Sequence, residues 1–178
     1  MATVNKNAAK SFYMLALARI CLGCLFLWAF FDKLFGLGFS TCRDTATNAV
    51  HVACGAAWMR GGSPTTGFLS HATGPFAHWY GNLAGHSWVD YLFMAALLAV
   101  GVGLLLGIFM RLATLVGIGL LILMWAALLW PAANPVFDEH IVYIFVLAAL
   151  NLANSQQKWG LRGWWASTDL VKFLPLFE

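Results

Sequence analysis

The sequence predicts an all-α fold: a polytopic membrane four-helix bundle with a long, partly helical outer loop between helices 1 and 2. Three observations carry this. Hydrophobic residues make up 61% of the 178 and mean hydropathy is +0.77. Charged residues make up only 10%, against about 25% in an average soluble domain. The apolar residues also gather into four runs, the pattern that a hydrocarbon core selects. No internal repeat or low-complexity tract divides the chain, so residues 1–178 read as a single integral membrane domain. A net charge of +3 is small and gives no reason to expect a nucleic-acid partner.

The first span covers residues 12–31 and is interrupted only by Arg19. It is too long for a signal-peptide core, and no A-x-A-like site closes it. The second span covers 89–108 and the third 112–130, with a tight turn around Gly107 and Arg111 between them. The fourth run, Ile141–Leu152, has only twelve clearly apolar residues. A spanning helix needs about 20, so this one is expected to recruit its flanks and reach from 137 to 155. That draws "NPVFDEH", Asn134–His140, to one membrane surface and sets Asn151 and Asn154 near the other.

Lys and Arg orient the bundle. Lys6, Lys10, Arg111, Lys158, Arg162 and Lys172 fall on one side, and Lys33, Arg43 and Arg60 on the other. By the positive-inside rule both termini are cytoplasmic, while loop 32–88 and "NPVFDEH" face outside. Gly101, Gly103 and Gly107, with Ala113 and Gly117, are expected to let the second and third helices approach closely. In the outer loop, "AVHVACGAAWMR" and "GFLSHATGPFAHWYGNLAG" suggest short interfacial or re-entrant helices joined by the turn "GGSPTTG". The tail, 156–178, mixes Trp159, Trp164 and Trp165 with basic residues and reads as a cytoplasmic interfacial segment.

Arg19 is the clearest anomaly, since an intramembrane arginine costs about 2.5–3.5 kcal/mol on insertion scales. At helical spacing Arg19, Gly23, Phe26, Phe30 and Lys33 share one face, which would suit a flat apolar ligand with a polar head. The competing reading is an arginine snorkelling to the headgroups. Asp90 is a second binding candidate, although "SWVD" also places Ser87 and Asp90 at capping-box spacing. His140 and Tyr143 fall on one side of the last helix and form a candidate proton-handling pair, histidine titrating near neutral pH. An interfacial histidine with a snorkelling tyrosine fits the same pattern. Asp138 reads as an N-cap, and joins His140 in one pocket only if it lies in the turn before the helix, which Pro135 permits.

Cys42 and Cys54 share the outer loop, where a structural disulfide is expected. Cys21 and Cys24 lie inside the first helix, opposite Arg19, and read as buried small residues. His51, His71, His78 and His86 match no zinc spacing, so no metal site is expected. The chain has no C-x-x-C-H for covalent haem, no nucleotide-binding G-x-G-x-x-G and no P-loop.

Four stretches in order, "ARICLGCLFLWAFFDKLFG", "GSPTTGFL", "VDYLFMAALLAVGVGLLLGIFMRLA" and "NPVFDEHIVYIFVLAALNLA", resemble the DoxX/DoxD family of small membrane proteins over roughly residues 18–155. The "GSP-x-x-GFL" and "NP-x-x-D-x-H" patterns are closest to the DoxD branch. That resemblance implies the membrane subunit of a thiosulfate:quinone oxidoreductase in a prokaryotic cytoplasmic membrane. It implies a quinone head near Lys33, Asp90, Asp138 and His140, a DoxA-like second subunit, and attraction of a dianionic substrate by Lys33, Arg43 or Arg60. Two other readings stand beside it. One is a non-catalytic accessory or anchor subunit of a larger membrane redox complex. The other is a quinone-coupled thiol oxidase, disfavoured because Cys21 and Cys24 lie about 10–15 Å below the outer end of the first span.

Overall fold

The computed structural model describes residues 6–44, 46–131, 134–154 and 158–173, all helical or irregular apart from one isolated bridge between Arg43 and Val50. Helix α1 runs Lys6–Phe35. The loop that follows holds a 3-10 turn at Trp58–Arg60, α2 (Thr66–Ser70), a second 3-10 turn at Gly74–Phe76 and α3 (Ala77–Leu83). Then come α4 (Ser87–Leu106), α5 (Met110–Ala127), α6 (Glu139–Leu152) and the short tail helices α7 (Arg162–Ala166) and α8 (Asp169–Phe173). Helices α1, α4 and α5 are long and apolar enough to cross a membrane.

Helix α6 is shorter than the expected 137–155. Its 14 residues rise about 21 Å, some 9 Å less than a typical hydrocarbon core. The start is set by Asp138, whose extended backbone and carboxylate cap the amides of His140 and Ile141. The described helix stops at Leu152, and the expected limit at 155 lies outside the described residues. Helix α5 ends at Ala127 rather than Trp130, and the loop takes up the carbonyls there: Thr73 N–H reaches Ala127 O at 2.8 Å and Thr73 Oγ1 reaches Leu129 O, just past the helix, at 3.1 Å.

The helices pack in the order α1 on α4, α4 on α5 and α5 on α6, with α6 returning to touch α1. Small residues set the distances, as expected for Gly103 but not for Gly101. A Cβ on Gly23 would stand 2.8 Å from Leu105 N, and one on Gly101 would stand 2.6 Å from Leu27 Cγ, so Gly101 serves the α1–α4 seam. Gly103 meets Ala113 of α5, Gly117 meets Leu147 of α6, and Gly107 ends α4 in the left-handed region at φ 69. Phe26 and Phe30 project from α1 into the core with Met94, Leu97 and Val100 of α4.

Arg19 closes the end of the bundle opposite the long loop. It is 1% exposed, and its described partners are all backbone carbonyls. Nη1 donates to Leu104 O and, at 3.1 Å, to Leu105 O. Nη2 donates to Lys158 O at 3.2 Å and Trp159 O at 2.8 Å. The guanidinium therefore binds carbonyls at the C-terminal end of α4, where the helix dipole favours a cation, and ties the tail to them. Leu161 N–H adds a bond to Leu106 O, and Tyr13 packs against Trp159 at 5.3 Å. Among the described contacts Arg19 thus meets backbone carbonyls of α4 and the tail. Arg19→Met should free residues 158–173 and lower stability by about 2–3 kcal/mol, the scale of hydrogen bonds to a charged donor. Faster proteolysis at Lys158 and Arg162, with a lower melting temperature in detergent, checks it. An unchanged digest would mean the tail is held in place without Arg19.

Candidate functional site

At the loop end of the bundle a cavity of about 430 Å³ lies under α2 and α3, between α4 and α5. That size falls within the range of small-molecule sites, about 300–1,000 Å³. Its walls are apolar and aromatic, with Phe68, Trp79, Trp88 and Phe93 among them. The space exists partly because α5 carries Gly119 there, where an added Cβ would meet nothing within 4 Å. Trp88, Leu92, Leu115 and Leu123 line the cavity and are also exposed on the outside of the helices, so it opens sideways between α4 and α5.

Polar groups gather at one edge. Lys33 lines the cavity from the end of α1, its Nζ 5.9 Å from the Phe93 ring centre and 3.4 Å from Ser40 Oγ. Ser40 Oγ in turn donates to Asp32 Oδ2 at 2.8 Å. Asp32 is 1% exposed and also accepts the backbone amides of Phe39, Ser40 and Thr41, at 3.0, 2.9 and 2.9 Å. This nest of donors fixes loop 39–41 beside Lys33. The Cys42–Cys54 disulfide, with Cα atoms 5.7 Å apart, closes the next stretch of loop.

Thr65 supplies the second polar contact. Its Oγ1 and N–H donate to Asp90 Oδ1 at 2.6 and 3.2 Å, and Ser63 Oγ donates to the same oxygen at 2.8 Å. The expected capping box is therefore not formed. The N-cap of α4 is His86, Ser87 lies inside the helix, and the Asp90 carboxylate is engaged by the "GGSPTTG" turn instead. Tyr80 also lines the cavity, but its hydroxyl donates to Leu123 O at 2.7 Å, pinning α3 to α5. Burial raises the Tyr80 phenol above its ordinary value, which keeps it a donor.

The structure divides the residues singled out from sequence. Lys33 lines the cavity, and Asp90 reaches it through Thr65. Phe26 and Phe30 are core residues that do not line it. Arg19 lies fourteen positions before Lys33 on α1, about 21 Å away along the axis. A helical wheel gives direction but neither depth nor the identity of the covering neighbour, so residues of one face end up in three environments. Asp138 and His140 do meet, Oδ2 to Nδ1 at 2.8 Å, because Asp138 sits in the turn before α6. Their side chains are 9% and 8% exposed, while Tyr143 is half-buried, and none of the three lines the cavity. Cys21 and Cys24 are exposed on the outer face of α1 rather than buried, because Leu22, Gly23 and Phe26 turn the opposite face toward α4.

Sequence reasoning missed Asp32, Thr65, Trp79, Trp88 and Gly119. A signal existed for two of them. A carboxylate at the end of an apolar run must find donors, and "GFST" and "GSPTTG" are the nearby segments rich in free amides and hydroxyls. Comparison of the chain with protein-family models, curated proteins and solved structures returned no match. Fold and site thus define a class, an all-α protein with membrane-type helices and a laterally open cavity suited to an amphiphile. Replacing Gly119 by alanine tests the open space directly. With nothing for the new methyl to strike, Gly119→Ala should stabilise α5 by about 0.8–1.0 kcal/mol through helix propensity. A lowered melting temperature would show that the space is filled.

Proposed function

We propose that this chain is the membrane subunit of a quinone-linked oxidoreductase, with the quinone ring held in the cavity beneath the outer loop. The observation that carries the reading is the cavity: aromatic and aliphatic walls, one ammonium and one hydroxyl at its edge, and an opening on the face that lipid would cover. A lipid-soluble ring can enter sideways and lie against Phe93 and Trp88. The Lys33 ammonium can hydrogen-bond a ring oxygen and favour the negative charge that develops there on reduction. The resemblance to DoxD supplies the electron donor, a reduced sulfur compound such as thiosulfate. Two thiosulfates joined as tetrathionate release two electrons, and the ring takes these with two protons to become the quinol.

In this reading both termini are cytoplasmic, the cavity lies toward the outer surface, and exposed Arg43 and Arg60 attract the dianion toward a DoxA-like partner subunit. The Asp138–His140 pair, with Tyr143 about one turn deeper, belongs to the same end of the bundle and does not touch the ring.

The test is thiosulfate-dependent reduction of decylubiquinone by the protein purified with its partners, alongside Lys33→Met, Gly119→Phe and His140→Ala. Gly119→Phe should fill the cavity and abolish quinone binding in a folded protein. Lys33→Met should weaken binding about 10-fold, the loss of a hydrogen bond from a charged donor. A preparation that carries partners but neither binds nor reduces quinone would make the chain an accessory or anchor subunit.

A further inference from the structure

We propose that Ser63, Asp90 and Thr65 form a hydrogen-bonded path for protons between the outer medium and the oxygen of a ring bound in the cavity; this rests on the quinone reading above. The path is continuous. Ser63, half-buried in the turn before α2, donates to Asp90 Oδ1 at 2.8 Å, and Oγ1 of Thr65, a residue of the cavity wall, lies 2.6 Å from the same oxygen. All three bonds received by the carboxylate go to Oδ1, leaving Oδ2 without a described partner. Asp90 is 6% exposed, and the groups bonded to it are neutral hydroxyls and an amide.

The chemistry of that surrounding is the reason to assign a proton role. If Asp90 served only to pin the turn, an asparagine oxygen would accept the same bonds without the cost of desolvating a carboxylate. A carboxyl group adds one capacity that an amide lacks, which is to take up and release a proton. The titratable groups lining the cavity are Lys33 from α1 and Tyr80 from α3, and the α5 wall from Leu115 to Met124 contributes none. Tyr80 is engaged with Leu123 O, and Lys33 is held beside Ser40 and Phe93 to orient the ring oxygen.

In the forward direction the ring receives two electrons from the sulfur donor; the oxygen facing Thr65 takes one proton along the path, and the opposite oxygen takes the second from the Lys33 ammonium, which regains it from the medium. For the path proton, protonated Asp90 gives its hydrogen to Thr65 Oγ1 while the Thr65 hydroxyl hydrogen moves to the ring oxygen that faces it. The resulting carboxylate is reprotonated from the medium through Ser63. Quinol oxidation runs the same steps backward, starting from the bond in which Thr65 already donates to Asp90.

The whole protein, loaded with one equivalent of decylubiquinone and adsorbed on an electrode that supplies the electrons, tests this without a partner subunit. Quenching of tryptophan fluorescence measures ring binding independently. Asp90→Asn should bind the ring like the wild type and Thr65→Val more weakly, yet at full ring occupancy both should reduce it about 100-fold more slowly, within the range for loss of a general acid. Both should also lose the wild-type slowing in heavy water, and Thr65→Ser should restore rate and isotope effect together. Wild-type rates and isotope effects in Asp90→Asn and Thr65→Val would overturn the path and leave the quinone site standing. A wild type that binds the ring but shows no proton-coupled reduction would also overturn it. A wild type that binds no ring would remove the quinone reading and the path with it. Should Asp90→Asn fail to fold, the Thr65→Val and Thr65→Ser pair decides the matter alone.

Discussion

The close approach of α1 to α4 governs the rest of the structure. With Gly23 against the backbone at Leu105 and Gly101 against Leu27, the two helices meet where a methyl group would force them apart. Lipid tails are as apolar as the side chains, so such contacts are favoured by packing rather than by expulsion of water. Arg19, one turn before Gly23, is thereby brought to the final carbonyls of α4. Phe26 and Phe30, one and two turns beyond it, become core. Lys33 then stands beside Phe93 at the other end of the same seam.

The two ends of the bundle solve one electrostatic problem with opposite signs. At the tail end a buried cation is satisfied by carbonyls left over from a helix C-terminus. At the loop end two buried carboxylates, Asp32 and Asp90, are satisfied by amides and hydroxyls of loop segments 39–41 and 63–65. Each charge recruits an irregular segment and holds it in place, as burial of an ion requires. The cavity results from this division of labour. Its roof is positioned by polar anchors behind the wall, so the wall itself can remain apolar and Gly119 can leave space.

How much was readable depended on whether the controlling force acts along the chain or across it. The three long helices were legible because bilayer thickness sets a run length that composition displays directly. The Cys42–Cys54 pairing was suggested by two cysteines sharing one loop. The cap that starts α6 was legible in Asp138, whereas the length expected of that helix, from 137, was not reached because the cap begins it at Glu139. Asp90 was legible as a charge at a span end but given the wrong partner: Ser87 is three positions away in sequence, whereas Thr65 is twenty-five away and is brought there by the loop. Arg19 was conspicuous for its cost, yet its partners come from residues 104–105 and 158–159, which no local pattern connects.

By itself the sequence determined the all-α class, the three membrane-length helices and the ends at which charge would have to be accommodated, because hydropathy and helical rise depend on neighbours along the chain. Only the tertiary structure decided which buried charge is an anchor and which borders a cavity. It also separated Lys33 and Thr65 from Phe26, Phe30 and Arg19, and held Asp138 against His140 away from the cavity. Those outcomes depend on which backbone happens to cover each side chain, and a helix face carries no record of its neighbour.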